Sequence, residues 1–136
     1  MTTVRAYLKG LRTSPKKVRL VVDLVRGLRA DVAEERLVFL NKRAAEPVLK
    51  LLRSAIANAL HNNQLKRETL RIKEIRVDEG KTEHRWRPRA HGRAFPIRER
   101  GSHVTILLTG ESEVKTDAPV ADGAGAQAVT AVAEKK

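Results

Sequence analysis

The chain has 136 residues and a formal net charge of +12, from 28 Lys/Arg and 16 Asp/Glu, a composition that predicts one basic domain with a polyanionic partner. The absence of cysteine excludes disulfides, thiolate catalysis and cysteine-ligated zinc, and no apolar run approaches the roughly 18–20 residues that span a bilayer. Residues 1–109 hold 25 Lys/Arg against 11 Asp/Glu, a net charge of +14, so the positive charge lies in the body of the chain.

The first third of the chain predicts one strand and two helices. Thr3–Lys9 alternates apolar and polar residues, which is typical of a strand with one buried face. Ser14 before Pro15 predicts a helix start, and that helix is expected to end near Gly27. Asp31 is predicted to cap a second helix. Its residues available for burial are Val32, Leu37, Val38 and Leu40.

A third and longer helix is predicted from about Arg43 to Asn62. Apolar residues recur there at spacings of three and four, so one side of the helix should be continuously apolar. We therefore expect this helix to form the centre of the hydrophobic core. The predicted core residues are Ala44, Val48, Leu51, Leu52, Ala55, Ile56, Ala59 and Leu60.

Two further strands are predicted, and they flank a basic segment. Thr69–Asp78 is strand-like, but its apolar phase slips by one between Ile72 and Ile75, which indicates a bulge or a change of buried face. Ser102–Thr109 is the next strand. If these two strands pair antiparallel, the intervening residues extend them into a long hairpin at about 78–103.

These elements predict an α+β fold: three helices packed on a small antiparallel sheet, with a long protruding β-hairpin. We expect residues 1–110 to form this domain. From residue 111 onward the chain is rich in Ala and Gly and lacks periodicity, so residues 111–136 are predicted to be a disordered tail. An Ala-rich helical end is the alternative for this tail.

Residues 81–100 are the leading candidate binding site. They carry seven of the 28 Lys/Arg residues and few aliphatic side chains, so we expect them to become ordered against a polyanion. The guanidinium group suits bidentate phosphate contacts, and Trp86 can stack on an exposed base. The candidates are Lys81, Arg85, Trp86, Arg87, Arg89, Arg93, Arg98 and Arg100. The alternative is a solvated basic ribbon with Trp86 in the core.

A second candidate set surrounds the start of the first helix. Free backbone N–H groups and the positive end of the helix dipole suit phosphate at that point. The set comprises Arg12, Ser14, Lys16, Lys17, Arg19 and Arg26, and Lys9 and His103 are further RNA-binding candidates outside it. An ordinary charged helix face is the alternative. Lys42, Arg43, Lys50 and Arg53 are weaker candidates, which we interpret as solvated.

The sequence favours binding over catalysis, without a metal or another cofactor. His84, His91 and His103 are widely spaced amid positive charge, which disfavours a metal site. A nuclease that uses His91 or His103 is the enzymatic alternative, but no acid–base pairing is visible in the sequence. Nucleic acid is the leading candidate partner and an anionic membrane surface the second. The N-terminus lacks a signal-peptide pattern, so a cytoplasmic protein is expected.

Several segments together resemble one family, the L-twenty-two family of large-subunit ribosomal proteins in its bacterial form. They are Ser14–Val22, Ser54–Ala59, Val77–Gly80, Arg87–Ala94 and Ser102–Ile106. The resemblance extends over roughly residues 4–109. The chain departs from the family at His84, where a basic residue is common, and in its longer tail.

The resemblance implies a structural protein of the large subunit, bound to 23S-type ribosomal RNA and to neighbouring ribosomal proteins in the cytoplasm. It also implies a role early in subunit assembly and a hairpin that lines the exit tunnel. The hairpin tip would then meet the nascent peptide, and macrolide-type antibiotics would bind near it. The implied tip residues are Arg87, Pro88, Arg89, Ala90, His91, Gly92 and Arg93. A free-standing β-ribbon regulator or RNA chaperone is the alternative.

Overall fold

The computed structural model describes residues 2–111, in which three helices pack on one face of a three-stranded antiparallel sheet. The strands are β1 (Thr2–Leu11), β2 (Arg71–Pro88) and β3 (Ala94–Gly110), in the order β1-β3-β2. The helices are α1 (Pro15–Asp23), α2 (Ala30–Phe39) and α3 (Ala45–Asn63), with a short 3₁₀ turn at Arg67–Thr69. The predicted α+β class is confirmed, whereas the predicted tail lies outside the described residues from 112 onward. No helix in residues 2–111 is long and apolar enough to cross a membrane.

The core lies between the inner face of the sheet and the helices. Ile106, on the central strand β3, is opposite Ala6 on β1 and Ile75 on β2, and this row of side chains is buried. Leu52 and Ala55 of α3 are completely buried in the same core. The alternating apolar side chains of the strands therefore pack against the apolar side chains that recur every three or four residues in α3, as the sequence predicts.

The ends of α1 and α2 differ from the prediction. The α1 helix ends at Asp23, four residues before Gly27, because the chain turns over residues 24–27 and reaches a positive φ of 75° only at that glycine. Ser14 precedes the helix as predicted, but its side chain makes no capping hydrogen bond. Asp31 is not a cap; it lies in the first turn of α2, where Arg29 is the N-cap residue.

Some residues predicted to be buried are exposed. Along α2 the buried residues are Ala30, Ala33 and Leu37, and the prediction for Val32 and Val38 is wrong because both lie off this stripe. Leu40 is partly buried against the core. The prediction that Leu60 belongs to the core is also wrong: it lies near the end of α3 and is 38% exposed.

The predicted hairpin is confirmed, with two irregularities near its base. Lys73 is an extra residue between the Ile72 and Glu74 pairs, which accounts for the apolar phase slip. A second bulge places Gly80 and Lys81 opposite Gly101. A Cβ atom on Gly101 would lie 3.0 Å from the Lys81 carbonyl oxygen, so the close approach of the two strands requires glycine. Beyond this bulge the strands leave the domain, and residues 84–100 are all exposed.

Candidate nucleic-acid interface

The protruding part of the hairpin, residues 81–100, is called the arm here, and its strand pairing gives it two unlike faces. Directly opposite residues share a face, and successive residues alternate. One face carries three consecutive pairs: Thr82 with Arg100, His84 with Arg98, and Trp86 with Pro96. We call this the cationic face, since it carries arginine and no carboxylate. The other face carries Glu83 with Glu99, Arg85 with Ile97, and Arg87 with Phe95.

Trp86 lies on the cationic face and is 69% exposed. The alternative interpretation that buries Trp86 in the core is therefore wrong. Its ring stands among side chains that carry positive charge or none, and it packs into no described helix. An exposed indole beside arginines suits stacking on a base.

The arginines of the arm differ in how they are engaged. Arg85 is held by two carboxylates on its own face, with Nε 3.0 Å from Glu99 and a terminal guanidinium nitrogen 3.6 Å from Glu83. Arg89 lies 6.0 Å from the centroid of the Phe95 ring, within cation–π range. In residues 2–111, four further arginines of the arm form no ion pair and are exposed. They are Arg87, Arg93, Arg98 and Arg100.

The arm ends in a wide turn of residues 89–93. The Arg89 N–H donates to the Arg93 carbonyl at 2.8 Å, and His91 and Gly92 both have positive φ. All seven residues of the predicted tip are exposed. The tip is thus closed by backbone hydrogen bonding, and its side chains are free for a partner.

A groove of about 1150 Å³ at the base of the arm brings together residues from both candidate sets. It lies between the β1–α1 connection, α1, the α2–α3 connection and the start of the arm. Six predicted residues besides Ser14 line it: Lys9, Arg12, Lys17, Lys81, Arg100 and His103. Lys42 and Arg43 line it as well, although the sequence suggested that they are merely solvated. They could be recognised as part of the groove only from the fold, which places the α2–α3 connection beside α1.

Three predicted residues stay outside this groove. Arg19 donates to the Val77 carbonyl at 3.2 Å and so connects α1 to β2. Arg26 forms an ion pair with Asp23 at 2.9 Å, three residues earlier. Lys16 is exposed and does not line the groove. Arg19 and Arg26 are thus each engaged by a partner within the chain.

The surface of α2 and α3 away from the groove has its charges largely paired. Arg67 donates to Asp31 at 2.9 Å and to Glu34 at 3.4 Å, and Arg53 donates to Glu34 at 2.7 Å. The hydrogen bond that Arg67 donates to Asp31, together with the negative charge of that carboxylate, raises the pKa of Arg67 above its ordinary value. On α3, Lys50 lies 2.7 Å from a carboxylate oxygen of Glu46. Within residues 2–111, ten lysines and arginines of the arm and the groove form no ion pair.

The histidines of the hairpin lie apart from one another. The Gly10 N–H donates to His103 Nδ1 at 3.0 Å, which leaves Nε2 as the donor, and the ring lies 5.9 Å from that of Tyr7. His91 is in the terminal turn, at the opposite end of the hairpin from His103. Within residues 2–111 no three side chains of the metal-binding types come close enough to hold an ion.

Comparison with known proteins adds a family to this geometry. The family model described as Ribosomal protein L22p/L17e matches residues 6–109. The chain is 54% identical over 107 residues to the large ribosomal subunit protein uL22 of Mesoplasma florum, covering 79% of this chain and 96% of that protein. It is 48% identical over 113 residues to uL22 of Desulfitobacterium hafniense, covering 83% and 99%, respectively.

The matched region coincides with what the structure describes as the sheet, the three helices and the arm. It includes the strand pairs of the arm, its terminal turn and every residue that lines the groove. Family membership is thus supported by the folded domain rather than by a short motif within it. The chain belongs to the ribosomal protein L22p/L17e family.

Proposed function

We propose that this chain is a structural protein of the large ribosomal subunit that binds ribosomal RNA through the arm and the groove, and that it catalyses no reaction. The observation that carries the proposal is the arm itself. Residues 84–100 are exposed throughout, and four arginines within this segment have no ion-pair partner in residues 2–111. A strand pair that adds nothing to the core and carries this charge suits an external polyanion.

RNA fits this surface better than regular duplex DNA. The arm is a narrow ribbon with arginine on both faces, and the groove at its base is concave and irregular. Folded RNA presents loops, bulges and unstacked bases between its helices, and such features accept an extended ribbon. The relatives are named as proteins of the large ribosomal subunit, which makes the large-subunit, 23S-type RNA the expected partner.

The finer role that we propose is in the peptide exit tunnel. The exposed tip, residues 87–93, lies at the far end of the arm from the domain body. With the body on the outside of the subunit, the arm would line the tunnel and present its tip to the nascent peptide, with neighbouring ribosomal proteins beside it. Macrolide-type antibiotics would bind near the tip, and the protein would join the subunit early in assembly. It would act in the cytoplasm, bound to the ribosome.

Sucrose-gradient sedimentation tests the proposal against a free-standing RNA regulator. We expect the protein to co-sediment with large subunits after a wash in high salt, because an arm enclosed by RNA cannot dissociate by ion exchange alone. Deletion of residues 82–100, joined through a short glycine linker, serves as the matched variant and should be released by the same wash. Release of the full chain together with the deletion variant would favour the regulator.

Limited proteolysis gives an independent prediction for the arm. In the free protein, trypsin is expected to cut first within residues 81–100, because Lys and Arg there are exposed and the arm has no helix packed against it. Bound ribosomal RNA should protect these sites. Cleavage at the paired Arg53 and Arg67, monitored by mass spectrometry, provides the internal control. Equal protection of the arm with and without RNA would contradict RNA contact there.

A further inference from the structure

The groove at the base of the arm has an apolar floor inside its cationic rim. Leu20, Leu24 and Leu40 line it and form what we call the leucine floor. Leu20 is 69% exposed and Leu24 49% exposed, and they lie four residues apart, so they are neighbours on one helical surface. Buried Val21 and Ala44 lie beneath them and support the floor from the core.

The rim has strong net positive charge. Seven lysines and arginines line the groove, from four separate parts of the chain, against two glutamates. Both glutamates already have partners: Glu83 lies 3.6 Å from Arg12, and Glu99 lies 3.0 Å from Arg85. The electrostatic complement of this rim is an anion, and its apolar floor requires an anion that also carries an uncharged, flat surface.

We infer that the groove binds an unpaired strand of RNA, with a base lying on the leucine floor and the flanking phosphates on the rim. This inference rests on the proposed RNA-binding function and specifies the form of RNA that the groove takes. A duplex covers the faces of its bases by stacking and presents phosphates, 2′-hydroxyls and base edges, none of which uses exposed leucine. A single strand offers a base face and phosphates together.

The dimensions and surroundings of the groove agree with this ligand. Its volume of about 1150 Å³ exceeds the roughly 300–1,000 Å³ of ordinary small-molecule pockets, so it can hold more than one nucleotide. Arg12 and Arg43 are on the rim, and their planar guanidinium groups can stack on a base from the sides. Lys81 and Arg100 belong to both the groove and the arm, so one strand can pass from the groove onto the cationic face.

Fluorescence anisotropy with defined RNA probes tests the inference on the full chain. The probes are a single-stranded ten-nucleotide adenine oligomer, a fully abasic ribose-phosphate oligomer of the same length, and an RNA duplex of equal length. The wild-type protein should bind the intact single strand more tightly than the abasic strand. Leu20→Gln should lower the affinity for the intact strand by about fivefold, as expected for removing one apolar contact. The affinities for the abasic strand and for the duplex should stay unchanged.

Two matched variants make the result specific. Val38→Gln removes another exposed aliphatic side chain, 54% exposed and outside the groove, and should alter binding of no probe. The double variant Lys17→Gln, Lys42→Gln should lower the affinity for all three probes, because these rim residues would contact phosphate. Thermal unfolding of each variant verifies that the fold is retained.

Failure of the inference is distinguishable from failure of the proposed function. If Leu20→Gln has no effect on the intact strand while the double lysine variant weakens every probe, the base site is wrong and RNA binding stands. Equal wild-type affinity for intact and abasic strands would overturn the base site in the same way. If the wild-type protein binds none of the probes and no ribosomal RNA, the proposed function itself fails. Displacement of the single strand by an acidic, leucine-rich peptide at equal concentration would instead assign the groove to a protein partner.

Discussion

Truncation of Leu52 to alanine is expected to destabilise the protein by about 3 kcal/mol, within the range for buried leucines. Leu52 is completely buried on the inner side of α3, where the sheet and the helices meet. Its loss removes apolar contacts and leaves a cavity that the surrounding core fills only in part. Since small domains have a total stability of about 5–15 kcal/mol, this single change should shift the urea midpoint strongly. Circular dichroism at 222 nm during urea unfolding measures it.

Leu60→Ala is the matched control for this prediction. It makes the same chemical change in the same helix, at a residue that is 38% exposed. We expect a loss of about 1 kcal/mol, because part of the side chain is already in water. Equal losses for the two variants would mean that α3 buries both leucines equally, contrary to the orientation described here.

Replacement of Arg87, Arg93 and Arg98 by glutamine is expected to weaken binding to large-subunit ribosomal RNA by about 100-fold or more, since each charge-assisted hydrogen bond contributes about 1.5–3 kcal/mol. These three arginines are exposed and have no ion-pair partner in residues 2–111, so their free charge is available to phosphate. The slope of log affinity against log salt should fall by about 2–3, at roughly 0.7–0.9 per lost phosphate contact. Filter binding at a series of potassium chloride concentrations gives both quantities.

The matched control removes the same amount of charge elsewhere. Arg36, Lys50 and Lys66 are exposed, and none of them lies on the arm or lines the groove. Changing all three to glutamine should leave the salt slope close to that of the wild type. If both triple variants flatten the slope equally, the affinity depends on overall net charge, and the prediction of specific phosphate contacts by the arm is wrong. Unchanged unfolding midpoints would show that neither effect comes from lost stability.

Local patterns were sufficient to predict the strands and the hairpin. The slip in apolar phase between Ile72 and Ile75 indicated a bulge or a change of buried face, and the structure has the bulge at Lys73. An extra residue in one strand shifts every following side chain to the other face. The arm followed from the opposite property, a segment too charged to bury. In both cases the relevant information lies within one continuous segment of the chain.

The groove and the burial of single residues depend on distant parts of the chain. Lys42 and Arg43 belong to the groove because the α2–α3 connection folds beside α1, which no local pattern encodes. Leu60 has the spacing of a core residue, yet it is 38% exposed although its neighbour Ala59 is completely buried. Arg19 is similar, since its partner is a carbonyl 58 residues away. Helical periodicity gives the face of a helix but not which neighbours cover it.

Gly80 and Gly101, which face each other closely at the base of the arm, mark the boundary between two regions that contribute differently to stability. On the domain side, β3 contributes Ile106 and Leu108 to the core, and substitutions there alter folding. On the other side, the same strand has no buried residue between Ala94 and Arg100. Exposed substitutions of that kind usually alter stability by no more than about 0.5 kcal/mol. Substitutions in the arm should therefore leave the domain folded, so that their effects on binding can be measured without a change in stability.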